Sequence, residues 1–487
     1  MMTATLATLR FPPGFLWGAG TSAYQVEGSL EADGRGESVW DVFARRPGAV
    51  EGGVDAAVAC DSYRRWRDDV ALVAELGLGA YRFSVAWSRV QPDGARVEAR
   101  GLDHYERVVD ALLDAGVVPV LTLNHWDMPQ ALMAGGGWAG RSTVDAFARY
   151  ADAVGARLAD RVPWWITQNE PWVLAVLGYQ KGLHAPGVAD LAASFAAAHH
   201  LLLGHGAAAD ALRGHGATGV GVALSLFPCD PASGSDADRD AAYASDGYVN
   251  RWFLDALTGR GYPADTREEW ARALAAAPGA SSDRDVVPTA VGTVVRDGDE
   301  AAIGRVDVIG VNYYTRRIVA AAPPDPAGGR PFPWRVVPPP GDARRTDEGW
   351  EVVPDALRAL LLRLAREYAV PLLITENGGV YGDGPVPDGT VPDERRTAFL
   401  HDHLVAVHDA LADGADVRGY LHWSLLDNFE WALGYRPRFG LVHVDYPTGR
   451  RIIKGSGWYY ARVARDGELP AVGGDGEGTT SVPGGQA

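Results

Sequence analysis

Lysine is almost missing from this 487-residue chain: only Lys181 and Lys454 occur, and the other 43 basic residues are arginine. Together with abundant alanine and glycine, this reads as coding bias rather than chemistry. Basic charge is also outweighed, 45 residues against 62 acidic ones, for a formal net charge of −17. That excess argues against nucleic acid and against an anionic membrane as partners, since both demand basic patches. Cys60 and Cys229 are the only cysteines. They allow neither a disulfide framework nor a CxxC metal pair, and two free thiols suit a cytoplasmic protein. No apolar stretch reaches the ~18 residues that would cross a bilayer. The opening MMTATLATLRFPPGF has neither a basic n-region nor an apolar h-region, so no signal peptide is expected. The expectation is a soluble, cytoplasmic protein without cofactor or metal, with homo-oligomer formation left open.

What the chain does have is an ordinary globular core composition, 47% apolar and 22% charged, with sixteen Trp and eighteen Tyr. Several of these aromatics sit beside polar residues at the ends of apolar runs. Such neighbours suit a sugar ring, with its apolar C–H faces and hydroxyl rim.

The stretch Pro371–Gly379 (PLLITENGG) organises the reading. An apolar, β-branched run leads to Glu376, and Asn377, Gly378 and Gly379 break it, with the glycines expected to turn the chain aside. Trp164–Pro171 (WWITQNEP) repeats the design, with Glu170 at its end. Strand-like runs also occur at Phe15–Gly20, Tyr81–Trp87, Val117–Leu123, Val220–Leu226, Val306–Val311 and Gly419–Leu426. Helical periodicity separates them, for example at Asp61–Leu76, Asp190–Leu212, Asp246–Leu257, Pro354–Tyr368 and Glu394–Asp413.

Eight strands alternating with helices require parallel pairing through crossovers, and close most simply into a single α/β (β/α)₈ TIM barrel with extended βα loops. An open doubly wound sheet is the alternative, but no GxGxxG follows the first strand. The expected organisation is a flexible leader over 1–10, a catalytic domain over 11–465, and a disordered tail over 466–487. The insertions 259–305 and 317–350 are expected as loops with short helices, irregular through Pro323–Gly341. His199, His200, His401 and His403 lack convergent acids in the sequence and read as helix residues rather than metal ligands.

In such a barrel Glu170 and Glu376 face one another across the mouth. Two carboxyls so placed are what cleavage of a glycosidic bond needs, one to protonate the leaving oxygen and one to attack carbon or activate water. FLWGAGTSAYQVEG (15–28), YRFSVAWSRV (81–90), NHWDMPQAL (124–132), TQNEP (167–171), GVNYYT (310–315), ITENGG (374–379) and HWSLLDNFEW (422–431) together resemble, in order, the motifs of glycoside hydrolase family 1, the β-glucosidase family.

The resemblance implies a retaining β-glucosidase acting on terminal glucosyl residues, with Glu170 as acid/base and Glu376 as nucleophile, about 5–5.5 Å apart. It implies Arg82 and Tyr314 as supports of the nucleophile. Gln25, His125, Asn169 and Glu430 would hold the sugar's hydroxyls. Trp423 and Trp431 would line the sugar site, Trp350 would gate the leaving-group side, and Phe439 would wall the pocket. Asn250 and Asn312 are rim or supporting candidates. Asn124 and Met128 depart from the family's usual Tyr and Leu beside the site. Rival readings are a 6-phospho-β-glucosidase of the same family, for which Arg436 and Arg438 are the residues to watch, and a non-catalytic sugar-binding module.

Overall fold

The computed structural model describes residues 8–277, 292–325 and 329–470. Its centre is a closed barrel of eight parallel strands: β1 (Leu16–Gly20), β2 (Ala80–Ser84), β3 (Val118–Asn124), β4 (Trp164–Asn169), β5 (Val220–Ser225), β6 (Val308–Tyr313), β7 (Leu372–Asn377) and β8 (Val417–Trp423). Neighbours follow chain order, and β8 closes on β1 through Gly419–Leu16 to Trp423–Gly20. Ala80, Val120, Ile166, Ala223, Val308, Leu373 and Leu421, one from each of β2 to β8, fill the barrel's floor without measurable exposure. Strands buried on both faces read as continuous apolar runs, which is why all eight were visible in sequence. Their ends shifted by up to three residues. Most notably, Trp87 leaves β2 for a helical turn, Trp87–Val90.

The crossover helices include Ser62–Glu75, Ala99–Asp114, Ser142–Leu158, Leu191–Gly214, Pro354–Tyr368 and Glu394–Ala412. The helix expected at 246–257 is instead a helix at Asp236–Asp246, a π-turn at Gly247–Arg251 and a helix at Trp252–Leu257. Asn250 sits in that wider turn. It donates to the Phe227 carbonyl at 2.7 Å and to Asp246 at 2.8 Å, while its own carbonyl accepts from the Phe227 N–H.

Pro323–Gly341 is not irregular throughout. Trp334–Val337 pairs antiparallel with Arg317–Ala321, which pairs parallel with Cys229–Pro231. The prolines flank WRVV rather than interrupt it, so its aromatic and β-branched residues are free to pair. Leu9–Arg10 pairs with Glu468–Leu469 in a two-stranded antiparallel sheet outside 11–465. The rest of the expected leader, 1–7, and of the tail, 471–487, lies outside the described residues. Among the described residues no helix is long and apolar enough to cross a membrane.

Candidate active site

All eight strands end at one mouth, so residues far apart in sequence meet there. A cavity of about 310 Å³ opens at this face, and Glu170 and Glu376 both line it. So do His125, Asn169, Tyr314, Trp350, Trp423, Glu430, Trp431 and Phe439, every cavity-facing residue singled out in the sequence except Gln25.

Glu376, at the end of β7, accepts hydrogen bonds on both oxygens. Arg82 on β2 donates Nη1 to Oε1 at 2.5 Å, and Tyr314 donates its hydroxyl to Oε2 at 2.6 Å. Arg82 is wholly buried, so its charge is matched within the fold: Nη2 reaches Asn169 Oδ1 at 2.6 Å and Nε reaches Thr122 at 3.2 Å. Burial, and then the charge of Glu376, push the Tyr314 hydroxyl well above its ordinary value, which keeps it a donor.

Glu170 follows β4 with φ 48°, a left-handed conformation that turns its side chain into the mouth ahead of Pro171. Its principal donor is the Asn312 amide, 2.9 Å from Oε1. Burial and the negative charge of Glu376 push Glu170 up to about 8, while Asn312, Arg82 and Ser225 pull the other way. Two glutamates at matching strand ends therefore differ in what surrounds them. One holds its proton at neutral pH, and the other is met by donors on both oxygens.

Asn169 links them. Its Oδ1 accepts from Arg82, which can only donate, and from Asn312 at 3.1 Å, so its Nδ2 must point at His125 Nε2, 3.1 Å away. His125 accordingly carries its proton on Nδ1, and that nitrogen is buried with no protein partner. Burial and the charge of Arg82 hold its ring well below the usual histidine value, hence neutral.

The opposite side of the mouth is built from β8 and β1. Gln25 Nε2 donates to Asn428 Oδ1 at 2.9 Å, to the Phe429 carbonyl at 3.0 Å and to Glu430 Oε2 at 3.2 Å. Gln25 is fully buried and absent from the cavity wall. In this arrangement its amide holds Glu430 in place. Burial and Glu376 push Glu430 up to about 8. The His125 ring stacks against Trp423 and Trp431 at centroid distances of 5.6 and 6.0 Å. Tyr314, Trp350 and Phe439 form an aromatic cluster on the wall beside Glu376.

Three cations after β8 are committed to acids. Arg438 donates to Asp427 at 2.7 Å, Lys454 donates to Asp427 at 2.9 Å, and Arg436 donates to Glu51 at 2.8 Å and also pairs with Glu348. His199, by contrast, does meet an acid. Its Nε2 lies 2.9 Å from Asp299 and its Nδ1 2.8 Å from the Tyr262 hydroxyl, because the loop after β5 folds over its helix. Among the described residues no group of three or more His, Cys, Asp or Glu side chains is arranged to hold a metal.

Sequence reasoning missed Trp126, Trp172, Ser225, Phe227 and Glu348 as wall residues. The first four lie within two residues of a recognised motif or a strand end, and Glu348 lies two residues before Trp350, which was the available signal.

The family model described as glycosyl hydrolase family 1 matches residues 7–468. A thermostable β-glucosidase B of Thermobispora bispora is 47% identical, over 94% of this chain and 91% of its own. A β-glucosidase of an Agrobacterium strain is 44% identical, over 94% and 96%. The solved structure of a family 1 β-glucosidase from Thermotoga maritima in complex with isofagomine lactam superposes with a TM-score of 0.87. It is 38% identical and covers 95% of this chain and all of its own.

Proposed function

The chain belongs to glycosyl hydrolase family 1, and on that premise we propose that Glu170 and Glu376 divide the two steps of a retaining β-glucosidase between them. The reaction is hydrolysis of terminal, non-reducing β-D-glucosyl residues from β-glucosides and short oligosaccharides. In the first step a Glu376 oxygen attacks the anomeric carbon while the bond to the leaving oxygen breaks. Glu170 gives its proton to that oxygen. In the second step the ionised Glu170 takes a proton from water, the water oxygen attacks the same carbon, and Glu376 is released. Gln25, His125, Asn169 and Glu430 hold the sugar's hydroxyls, and Gln25 also aims Glu430. Trp423 and Trp431 face the ring, and Trp350 and Phe439 wall the entrance.

One observation carries this reading: two glutamates share one cavity, Glu376 accepting from Arg82 and Tyr314 while burial and the Glu376 charge push Glu170 up to about 8. An acid that must donate and a nucleophile that must be free need that difference. The commitment of Arg436, Arg438 and Lys454 to acids, with Glu430 close by, favours an unphosphorylated sugar. A cytoplasmic role on small soluble glucosides, including the short products of cellulose breakdown, belongs to the same proposal and fits the unpaired Cys60 and Cys229.

The test is hydrolysis of 4-nitrophenyl β-D-glucoside and of its 6-phosphate, with NMR of the first anomer released. The expected result is β-glucose from the unphosphorylated substrate and at least a thousandfold loss in Glu376→Ala, on the order of other single knock-outs of a catalytic group. Full activity in that variant, or α-glucose as first product, would overturn the mechanism.

A further inference from the structure

Arg317 stands against the cavity wall with no counter-ion among the described residues. It begins the strand Arg317–Ala321 that follows β6, and its guanidinium carbon lies 4.5 Å from the centre of the Trp172 ring and 4.4 Å from that of Phe227. Both rings line the cavity. The preceding residue makes the contrast: Arg316 is clamped by Glu351 at 2.8 and 2.9 Å and by Asp230 at 2.9 Å. Around Arg317 the opposing groups are the Cys229 thiol and the Tyr248 hydroxyl. Burial pushes the thiol up to about 12 and the hydroxyl above its ordinary value, so both are neutral at pH 7. Among the described residues no carboxylate pairs with the Arg317 guanidinium.

The second cation here is Lys181, directly after the π-helical Leu174–Gln180, whose Leu177 lines the same cavity. Partial burial, and then the charge of Arg317, push its ammonium below the usual value. Two basic residues without a paired acid among the described residues, in a chain of net charge −17, make a local positive patch. A guanidinium lying over aromatic faces still has its N–H edge to donate, in the fork that fits a carboxylate. Phe227 is itself pinned on both backbone groups by Asn250, so the stack rests on a fixed support.

The position decides what could be recognised. In the closed strand order, β4 and β5 lie across the barrel from β8 and β1. Trp172 follows Glu170 by two residues and Phe227 follows Ser225 by two, whereas Gln25 and Glu430 belong to the far side. If Glu170 protonates the leaving oxygen, as proposed above, the departing group lies on the Trp172–Phe227 side. We propose that this wall recognises aromatic leaving groups bearing a carboxylate, with Arg317 as the contact and Lys181 adding to the field. The inference rests on the β-glucosidase reading and names the leaving-group class of that same site.

The test compares 4-carboxyphenyl β-D-glucoside with its uncharged 4-carbamoylphenyl analogue, in the wild type, Arg317→Gln, Arg317→Lys and Lys181→Gln. The readout is the ratio of kcat/KM for acid over amide, which reports steps up to departure of the leaving group. Comparing the same two substrates across enzymes cancels their intrinsic reactivity. The ratio should fall about tenfold in Arg317→Gln, the worth of one charge-assisted hydrogen bond. It should fall less in Lys181→Gln and recover in part in Arg317→Lys. In the wild type it should decline as sodium chloride is raised. An unchanged ratio in Arg317→Gln overturns the proposal, leaving the guanidinium as packing. Should that variant not fold, a wild-type ratio that ignores salt overturns it equally. Failure of the wild type to cleave either glucoside would instead strike the β-glucosidase reading beneath it.

Discussion

Replacing Glu170 by glutamine should stabilise the ligand-free protein, and the gain should grow with pH. Burial and the Glu376 charge lift this carboxyl from the ordinary 4.5 to about 8. Below about pH 4.5 the folded and unfolded chains both carry the proton, and the group has no effect. Between about 4.5 and 8 the unfolded chain ionises while the folded one keeps its proton, so the folded state binds more protons and stability falls as pH rises. Above about 8 both states are ionised and the full cost is present.

One such group contributes a slope of at most ~1.4 kcal/mol per pH unit, hence a few kcal/mol across the window. Glutamine has no proton to lose, and its Oε1 can still accept from the Asn312 amide, which stands 2.9 Å from that position. Thermal melts of both proteins at pH 5, 6, 7 and 8, at constant ionic strength, read the difference at about 2 °C per kcal/mol. The Tm gap should widen steadily with pH in favour of Glu170→Gln. In a Glu376→Gln background it should widen less, because the neighbouring charge is gone. A gap that stays flat or narrows would refute the assignment of the held proton to Glu170.

Asn312→Ala removes the amide donor that favours the ionised form of Glu170, so the alkaline limb of kcat/KM for cellobiose should move up by about one pH unit or more; a limb that stays put or moves down counts against it. Arg82→Met takes the buried cation away from Glu376 and Asn169 Oδ1, leaving them only Tyr314 and Asn312 as donors. It should cost about 3–5 kcal/mol in denaturant titrations, and a loss below about 1 kcal/mol would contradict the pairing. Gly378→Ala would set a Cβ 1.9 Å from the Trp423 carbonyl oxygen, whereas Gly379→Ala meets nothing nearer than the Tyr381 side chain at 3.0 Å. Gly378→Ala should therefore lose both Tm and kcat/KM, and Gly379→Ala far less; equal losses would show that the close approach is not the reason for glycine.

That last pair also marks where the sequence could be read and where it could not. The glycines after Glu376 suggested a chain turning aside, yet neither has positive φ. Gly378 is required because β7 and β8 approach there, a contact across 45 residues that local pattern cannot reveal. The eight strands were legible because a barrel strand is apolar on both faces. Their last residues were not, because the mouth is polar by design and the pattern stops before the backbone does. Trp334–Val337 was hidden between prolines, its partner Arg317–Ala321 lies across them, and the pairing of Leu9–Arg10 with Glu468–Leu469 joins segments about 460 residues apart. Glu170 and Glu376 could be singled out because each sits alone at a strand end. Gln25 could be picked as a site residue, but nothing local said that its amide is spent on Asn428, Phe429 and Glu430. Trp172 and Phe227 were not singled out in the sequence, and the fold places them across the mouth from Trp423.

Chemical difference between the two glutamates is likewise a property of the closed barrel and not of either motif. Both end an apolar strand, both stand beside an asparagine, and an isolated peptide would give them the same acidity. Arg82 breaks the symmetry. It comes from β2, 294 residues before Glu376, and puts one nitrogen on that carboxyl and another on Asn169 Oδ1, the residue preceding Glu170. The same guanidinium thereby orients the amide that faces His125, so the group supporting one carboxyl also sets the hydrogen-bond direction on the sugar side. Glu170 gains no comparable contact, only Asn312 and Ser225 against full burial and a neighbouring charge. A lysine in place of Arg82 would offer both partners one nitrogen, without the fixed fork that meets each acceptor along its own N–H. The lysine-poor composition says nothing about that choice, but the buried fork at Arg82 does: a planar, two-pronged cation ties the nucleophile's environment to Asn169.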